Sequence, residues 1–298
     1  MELRVLRYFL AVCEAGTMSR AAENLHVTQP ALSRQIAALE RELGCELLVR
    51  HSRSVTPTEQ GMYLRRRAQE LVDLADQTAR DLSASGDIVE GDIRIGAGES
   101  EGMRVIARQI RSFRERYPQV RVHLHSAVAT DLVERLEHGL DDFSVLMSFA
   151  NIDRYAHLRL RPTDAWGLLM RADDPLASRE TVGPSDVCGE PVLMPARMWL
   201  DGAPSGVLAT WLGDHASQLD VAGTYNLNYN AVTLVREGVG RMFSLEGLTP
   251  TGPETGLAFR LLYPPVVSVI DLAWKRGATL SHAARLFLEH LQNAEADR

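Results

Sequence analysis

Residues 21–44, AAENLHVTQPALSRQIAALERELG, restrict this chain more than any other stretch. Their apolar and polar residues separate onto opposite helix faces around a short polar turn. That pattern predicts a helix-turn-helix. In its second helix Leu32, Ile36, Leu39 and Leu43 recur at spacings of four, three and four, which puts one apolar stripe against a core. Thr28 stands where an N-cap belongs, and Pro30 falls in the first turn, where its missing N–H costs nothing. Gln29, Ser33 and Arg34 then project from the opening turns. Gln suits adenine, Arg takes guanine bidentately, and Ser donates or accepts, all from the end of a helix that would enter a major groove first. Any amphipathic helix pair with a short turn gives a similar pattern, so the charge of the surrounding chain matters.

Residues 1–67 carry ten Arg against seven Glu, with neither Asp nor Lys, for a balance of +3. The whole chain is −7, so the rest carries −10. A mildly basic head on an acidic body fits one domain that approaches phosphate while the remainder stays away from it. The chain has 31 Arg and one Lys, Lys275, spread over every region; that ratio points to a GC-rich genome rather than to phosphate binding.

Many spaced positions now agree with one family. Phe9-Leu10-Ala11, Ala21-Ala22, Leu25, Thr28-Gln29-Pro30-Ala31-Leu32-Ser33, Ile36, Leu39-Glu40, Leu43-Gly44, Leu47, Arg50, Thr56 and Gly61 resemble the winged helix-turn-helix of LysR-type transcriptional regulators. Leu48 departs from it, since the family usually carries Phe there, which touches local packing alone. The remainder resembles the family in length and layout. The resemblance implies double-stranded operator DNA as a partner. The candidate DNA-binding set is Thr28, Gln29, Pro30, Ser33 and Arg34, with Arg50 and Arg53 in a two-stranded wing over 47–55.

A chain of 298 residues is long enough for two or three domains, and no apolar run approaches a membrane span. Arg4 and Arg7 followed by residues 8–13 imitate a signal peptide, but the run is too short and Glu14 follows at once. Leu6, Phe9, Leu10 and Cys13 instead form a helical stripe closed by Gly16, and a cytoplasmic protein is expected. Cys13, Cys45 and Cys188 are widely separated and odd in number, which argues against a disulfide framework or a zinc site; they read as buried small hydrophobes.

Thr56-Pro57-Thr58-Glu59 reads as a capping box with Pro at the first helical position. The helix that follows runs to about residue 85, a rod of roughly 40 Å. Gly61, Leu64, Ala68, Leu71, Ala75, Thr78 and Leu82 make a narrow seam along it at spacings of three and four, which a partner helix would cover. In the family this helix forms the dimer contact, so the resemblance implies a homodimer, often paired into a homotetramer.

From 91 onward strands and helices alternate: strands over 92–97, 120–125 and 143–147, helices over 103–117 and 130–138. A second set has strands over 166–171, 191–194, 221–225 and 242–245 and helices over 207–215 and 231–237. A strand over 266–274 and a helix over 281–292 close the chain. Alternation predicts parallel sheets covered by helices. The expected fold class is α/β, with a winged helix-turn-helix at the N-terminus and a two-lobed C-terminal domain similar to periplasmic binding proteins. The expected domains are a DNA-binding domain at 1–57, a linker helix at 58–87 and an effector-binding domain at 88–298. Lobe I covers about 91–161 and 266–298 and lobe II about 162–265, with crossovers near Arg161-Pro162 and Pro264-Pro265.

Open α/β sheets bind ligands at the carboxyl ends of strands, where helix N-termini offer free N–H groups. That rule selects Gly98, Glu99 and Ser100, then Thr130, Ser148, Tyr225 and Asn226, with Trp199 beside them. Ser100 and Thr130 also suit the plainer task of capping a helix. In the family a small-molecule effector occupies this interlobe cleft. Glu99 would repel an anion there, so the expected effector is neutral or carries an amine. No cofactor and no metal is expected. Gly96-Ala97-Gly98 lacks the third glycine of a dinucleotide fingerprint, and neither a phosphate-cradling loop nor a nucleophile elbow is present. His123 and His125 share a strand face but would need a third ligand to hold a metal. An enzyme of binding-protein-like fold and a ligand-independent DNA-packaging protein are the alternatives to a regulator.

Overall fold

The computed structural model describes residues 1–51, 54–83 and 89–296. Packing divides the chain into Met1–Asp87 and Ile88–Arg298, each with its own core.

In the first unit, α1 (Leu3–Ala15) ends where Gly16 turns left-handed with φ 68°. A short α2 (Met18–Asn24) and α3 (Gln29–Leu43) follow. Leu6, Phe9, Val12, Ala21, Ala22, Leu32, Ile36 and Leu39 fill the space among these helices. The stripe on α3 stops one turn early: Leu43 is 40% exposed, because the last turn runs past the core. The antiparallel wing comprises β1 (Leu48–Arg50) and β2 (Val55–Pro57), and α4 (Glu59–Ser83) leads away from it.

The start of α4 differs from the expected capping box. Pro57 pairs with Leu48 as the last residue of β2, so it is not helical, and Thr58 is the capping residue in place of Thr56. The Thr58 hydroxyl accepts from the Gly61 amide at 3.0 Å and donates to the Glu46 carbonyl at 2.7 Å, while the Thr58 amide donates to the Leu47 carbonyl at 2.9 Å. The seam also divides. Leu64 and Ala68 are buried with Val72 in the core of their own unit, where α4 packs on α1, so they are not free to meet a partner. Leu71 and Leu74 stay exposed, as do Met62 and Tyr63. Thr78 is exposed, Ala75 is half-buried, and the side chain of Leu82 lies outside the described residues.

Cys13, Cys45 and Cys188 are free thiols and half-buried rather than fully buried. Burial pushes the Cys13 thiol up to about 11, opposed weakly by Arg65. Below that pH the unreactive protonated form dominates. Iodoacetamide at pH 7.5 should therefore alkylate Cys13 at least about a hundredfold more slowly than a free thiol, with the rate climbing as pH nears 11. Peptide mass spectrometry over a time course measures this, and labelling at the pace of free cysteine would refute it.

The second unit joins two lobes through shared strands. Lobe I holds β3 (Gly91–Ala97), α5 (Met103–Arg116), β4 (Val120–Ser126), α6 (Ala129–Glu137) and β5 (Phe143–Met147), with β3 parallel to both β4 and β5. Next comes β6 (Ala156–Arg171), far longer than the expected strand over 166–171. Lobe II contains β7 (Thr181–Val182), β8 (Pro191–Pro195), a small hairpin of β9 (Trp199–Leu200) and β10 (Ala203–Pro204), and α7 (Gly206–Leu212). It continues with β11 (Asp220–Tyr225), α8 (Asn228–Arg236), β12 (Arg241–Leu245) and β13 (Leu257–Leu262). The chain returns along β14 (Val267–Trp274) to α9 (His282–Ala296), which packs on α5.

The sheets are mixed rather than parallel throughout. β8 is parallel to β11 and β12, whereas β14 is antiparallel to β5 and β6, and β6 is antiparallel to β12 and β13. The first part of β6 pairs with β14 and its last part with β12 and β13, so one strand carries the chain from lobe I into lobe II. Phe113, Phe143 and Phe287 anchor the core of lobe I, and Trp166, Leu168, Val192 and Phe243 that of lobe II.

Candidate DNA-reading face and ligand cleft

Thr28, Gln29, Pro30 and Arg34 are exposed at the start of α3. Thr28 is the N-cap residue, with extended backbone, but its side chain makes no capping hydrogen bond. Pro30 has no N–H, and the Ala31 and Leu32 amides both donate to the Thr28 carbonyl at 3.0 Å. Ser33 is half-buried, and its hydroxyl accepts from Arg50 Nη1 at 3.2 Å. The Arg50 guanidinium also stands 3.7 Å from Glu40. Glu40 Oε1 accepts from the Leu47 and Leu48 amides at 2.9 and 3.2 Å. One carboxylate thus fixes the turn between α3 and β1, and Arg50 ties the wing to the reading helix, a positioning task that the sequence reading had not given it. Arg53 lies outside the described residues.

Between the lobes lies a cavity of about 70 Å³, lined by Gly98 and Glu99 after β3, by 127–129 at the start of α6, and by Tyr225, Asn226 and Asn228 before and within α8. A second cavity of about 410 Å³ shares Gly98, Glu99 and Asn228 as a wall. Of the expected residues, Gly98, Glu99, Tyr225 and Asn226 meet in the first cavity. Ser100 faces the second and is buried, its hydroxyl accepting from the Gly102 amide at 2.9 Å. Three others fall elsewhere. Thr130 lies within α6 rather than at its cap, is exposed, and leans on Asp131. Ser148 accepts from the Val269 amide at 3.2 Å, which fastens the end of β5 to β14. Trp199 packs half-buried against the core of lobe II.

The sequence reading places Glu99 at the cleft, and the structure adds a protein partner for one of its two carboxylate oxygens. A Glu99 carboxylate oxygen accepts from the Asn228 amide, so a lobe I side chain sits at the N-terminus of a lobe II helix, where negative charge is favourable. Asn228 is buried with both side-chain polar atoms engaged: Nδ2 donates to Thr249 at 2.8 Å, and Oδ1 accepts from Ser244 at 2.9 Å.

Two residues that the sequence reading missed, Arg197 and Trp166, line the same cavity. Arg197 follows β8, and its guanidinium lies 5.6 Å from the centre of the Trp166 ring. Burial pushes the Arg197 pKa down, with Tyr225 and Asp164 opposing. Trp166 donates from Nε1 to the Ser268 hydroxyl at 2.9 Å. Asp164 is buried beside them on β6, one of its oxygens has no hydrogen-bond partner, and burial pushes its carboxyl up. Burial likewise pushes the Tyr225 phenol up; it donates to the Phe243 carbonyl at 2.6 Å. An Arg directly after the apolar run 191–196 is the one signal in the sequence that could have exposed Arg197.

No helix among the described residues is long and apolar enough to cross a membrane. Residues 3–62 match the model of the bacterial regulatory helix-turn-helix protein, LysR family, and residues 87–296 match the LysR substrate binding domain. The uncharacterized HTH-type transcriptional regulator YvbU of Bacillus subtilis is 27% identical over 97% of both chains. The DNA-binding transcriptional dual regulator OxyR of Escherichia coli is 32% identical over 65% of this chain and 63% of its own. Among solved structures, CbnR, a LysR family transcriptional regulator, has a TM-score of 0.76 at 23% identity and covers 99% of each chain. CbnR complexed with its target DNA gives 0.73 at 24% identity, covering 99% of this chain and 100% of its own. With both of its units matched, the chain belongs to the LysR family of DNA-binding transcriptional regulators.

Proposed function

We propose that this regulator reads an interrupted palindromic operator with the opening turns of α3 and answers to a small molecule held between the lobes of its second unit. The observation that carries this is the exposed polar start of α3, held to the wing by Arg50 and Glu40 and presenting Gln29 and Arg34 together. The complex of CbnR with its target DNA supports the same use of this fold. The apolar residues left exposed on α4, Leu71, Leu74, Met62 and Tyr63, support pairing with a second copy, which would place two reading helices on successive half-sites. The cleft supports regulation by a ligand, which acts through its differential affinity for two arrangements of the assembly.

Base-resolution footprinting of the tagged protein in its host tests this reading: sharp two-part palindromic sites are expected, and diffuse coverage would overturn it. On such a site Arg34→Ala should cost about 1–3 kcal/mol, roughly five- to 150-fold in affinity, and relax the base preference at one position. Titration on operator and random DNA separates the outcomes, since equal weakening on both would make Arg34 a phosphate contact.

A further inference from the structure

Two opposite charges line the interlobe cavity, and neither forms an ion pair among the described residues. Glu99 is half-buried at one wall; the Asn228 amide engages Oε2, and Oε1 takes no hydrogen bond there. Arg197 is half-buried at another, resting on the Trp166 face and reaching the Met147 carbonyl at 3.5 Å. The two do not bridge each other within salt-bridge distance, yet the Tyr225 phenol feels both. Leu132, Met147 and Leu248 give the space between them apolar walls. Half-buried charges whose partners are an amide, a carbonyl or a ring face rather than an opposite charge remain incompletely compensated, and a molecule carrying the opposite sign at each end improves both together.

We propose that the cleft takes an α-amino acid with an apolar side chain, its ammonium on Glu99, its carboxylate on Arg197 and its side chain among Leu132, Met147 and Leu248. This rests on the reading of the cleft as the effector site. A simple organic acid satisfies Arg197 alone, and a simple amine satisfies Glu99 alone.

Calorimetry on the full-length protein with each of the standard L-amino acids tests the proposal. The tightest binder is then compared with its N-acetyl derivative, which lacks the ammonium, and its primary amide, which lacks the carboxylate. Both derivatives should bind at least about tenfold more weakly. Glu99→Gln should weaken the amino acid by a similar factor while leaving the N-acetyl derivative unchanged. Arg197→Met should weaken the amino acid and spare the amide, and Arg197→Lys should recover part of the loss. Binding by no amino acid, or an N-acetyl derivative that binds as well as its parent, overturns the amino-acid assignment. Hydrogen exchange keeps the two readings apart. Protection of the Val128 and Leu227 amides by an acid or a neutral compound would sustain the cleft reading while the amino-acid assignment falls. Amino-acid binding that protects only amides away from the cleft would overturn both.

Discussion

Gly61→Ala is expected to destabilise the N-terminal unit by at least about 3 kcal/mol. A Cβ at this position would lie 2.0 Å from the Leu47 carbonyl oxygen and 3.0 Å from its carbon, backbone atoms that cannot swing aside. The same carbonyl receives the Thr58 amide at 2.9 Å, so moving α4 away breaks the bond that starts it. The gain in helix propensity from glycine to alanine, about 1 kcal/mol, is too small to compensate. In a unit of this size that loss lowers the melting midpoint by roughly 12–24 °C. Calorimetry should show one transition falling while that of residues 88–298 holds, with operator binding lost at the growth temperature. A midpoint within a degree or two of the parent would mean that α4 shifts without cost, and that the close approach to Leu47 is not a constraint.

Trp166→Ala should strike the other unit as hard. The side chain is 2% exposed at the point where β6 enters lobe II, and truncating a buried aromatic of this size costs about 3–5 kcal/mol. Removing the indole also strands the fully buried Ser268 hydroxyl, worth about 1–3 kcal/mol more if it is left unpartnered. Arg197 loses the ring under it as well. Trp166→Phe keeps an aromatic face and loses only the hydrogen bond, so it should fall between parent and alanine. Denaturant titration followed by circular dichroism of residues 88–298 within the full chain measures the series. Equal stability of the Phe and Ala variants would show that the indole N–H, and not the ring, carries the effect.

How far the sequence announces this structure depends on how local the deciding contact is. The Leu32, Ile36 and Leu39 stripe is legible because burial on a helix follows a fixed period, and it misleads at Leu43 because periodicity carries no knowledge of where the core ends. Pro57 reads equally well as a first helical residue or a strand end, and its pairing with Leu48 decides the matter. Thr130 is displaced because α6 begins at Ala129, a shift too small for sequence patterns to resolve. Glu99 is the instructive case. Its neighbours in sequence suggest an open helix end, but its partner is an amide 129 residues away on the other lobe. Arg197 and Asp164 escape for a similar reason, since isolated charges in apolar surroundings show no period and gain meaning only when β6 and β8 bring them together.

The continuity of β6 also governs how such a chain can change over generations. Side chains alternate along a strand, so one residue gained or lost between Asp164 and Trp166 would turn every later position of β6 to the opposite side. Trp166, Leu168 and Met170 would leave one core of lobe II, and Leu169 would be drawn from the other. Length at this junction is therefore frozen, while an exposed turn such as residues 253–254 can accept insertions. Lobes transplanted between relatives must accordingly be cut at matching register in β6 and at the start of β14, where Val267 pairs with Ala165. A graft offset by a single residue would deliver a foreign lobe inside out.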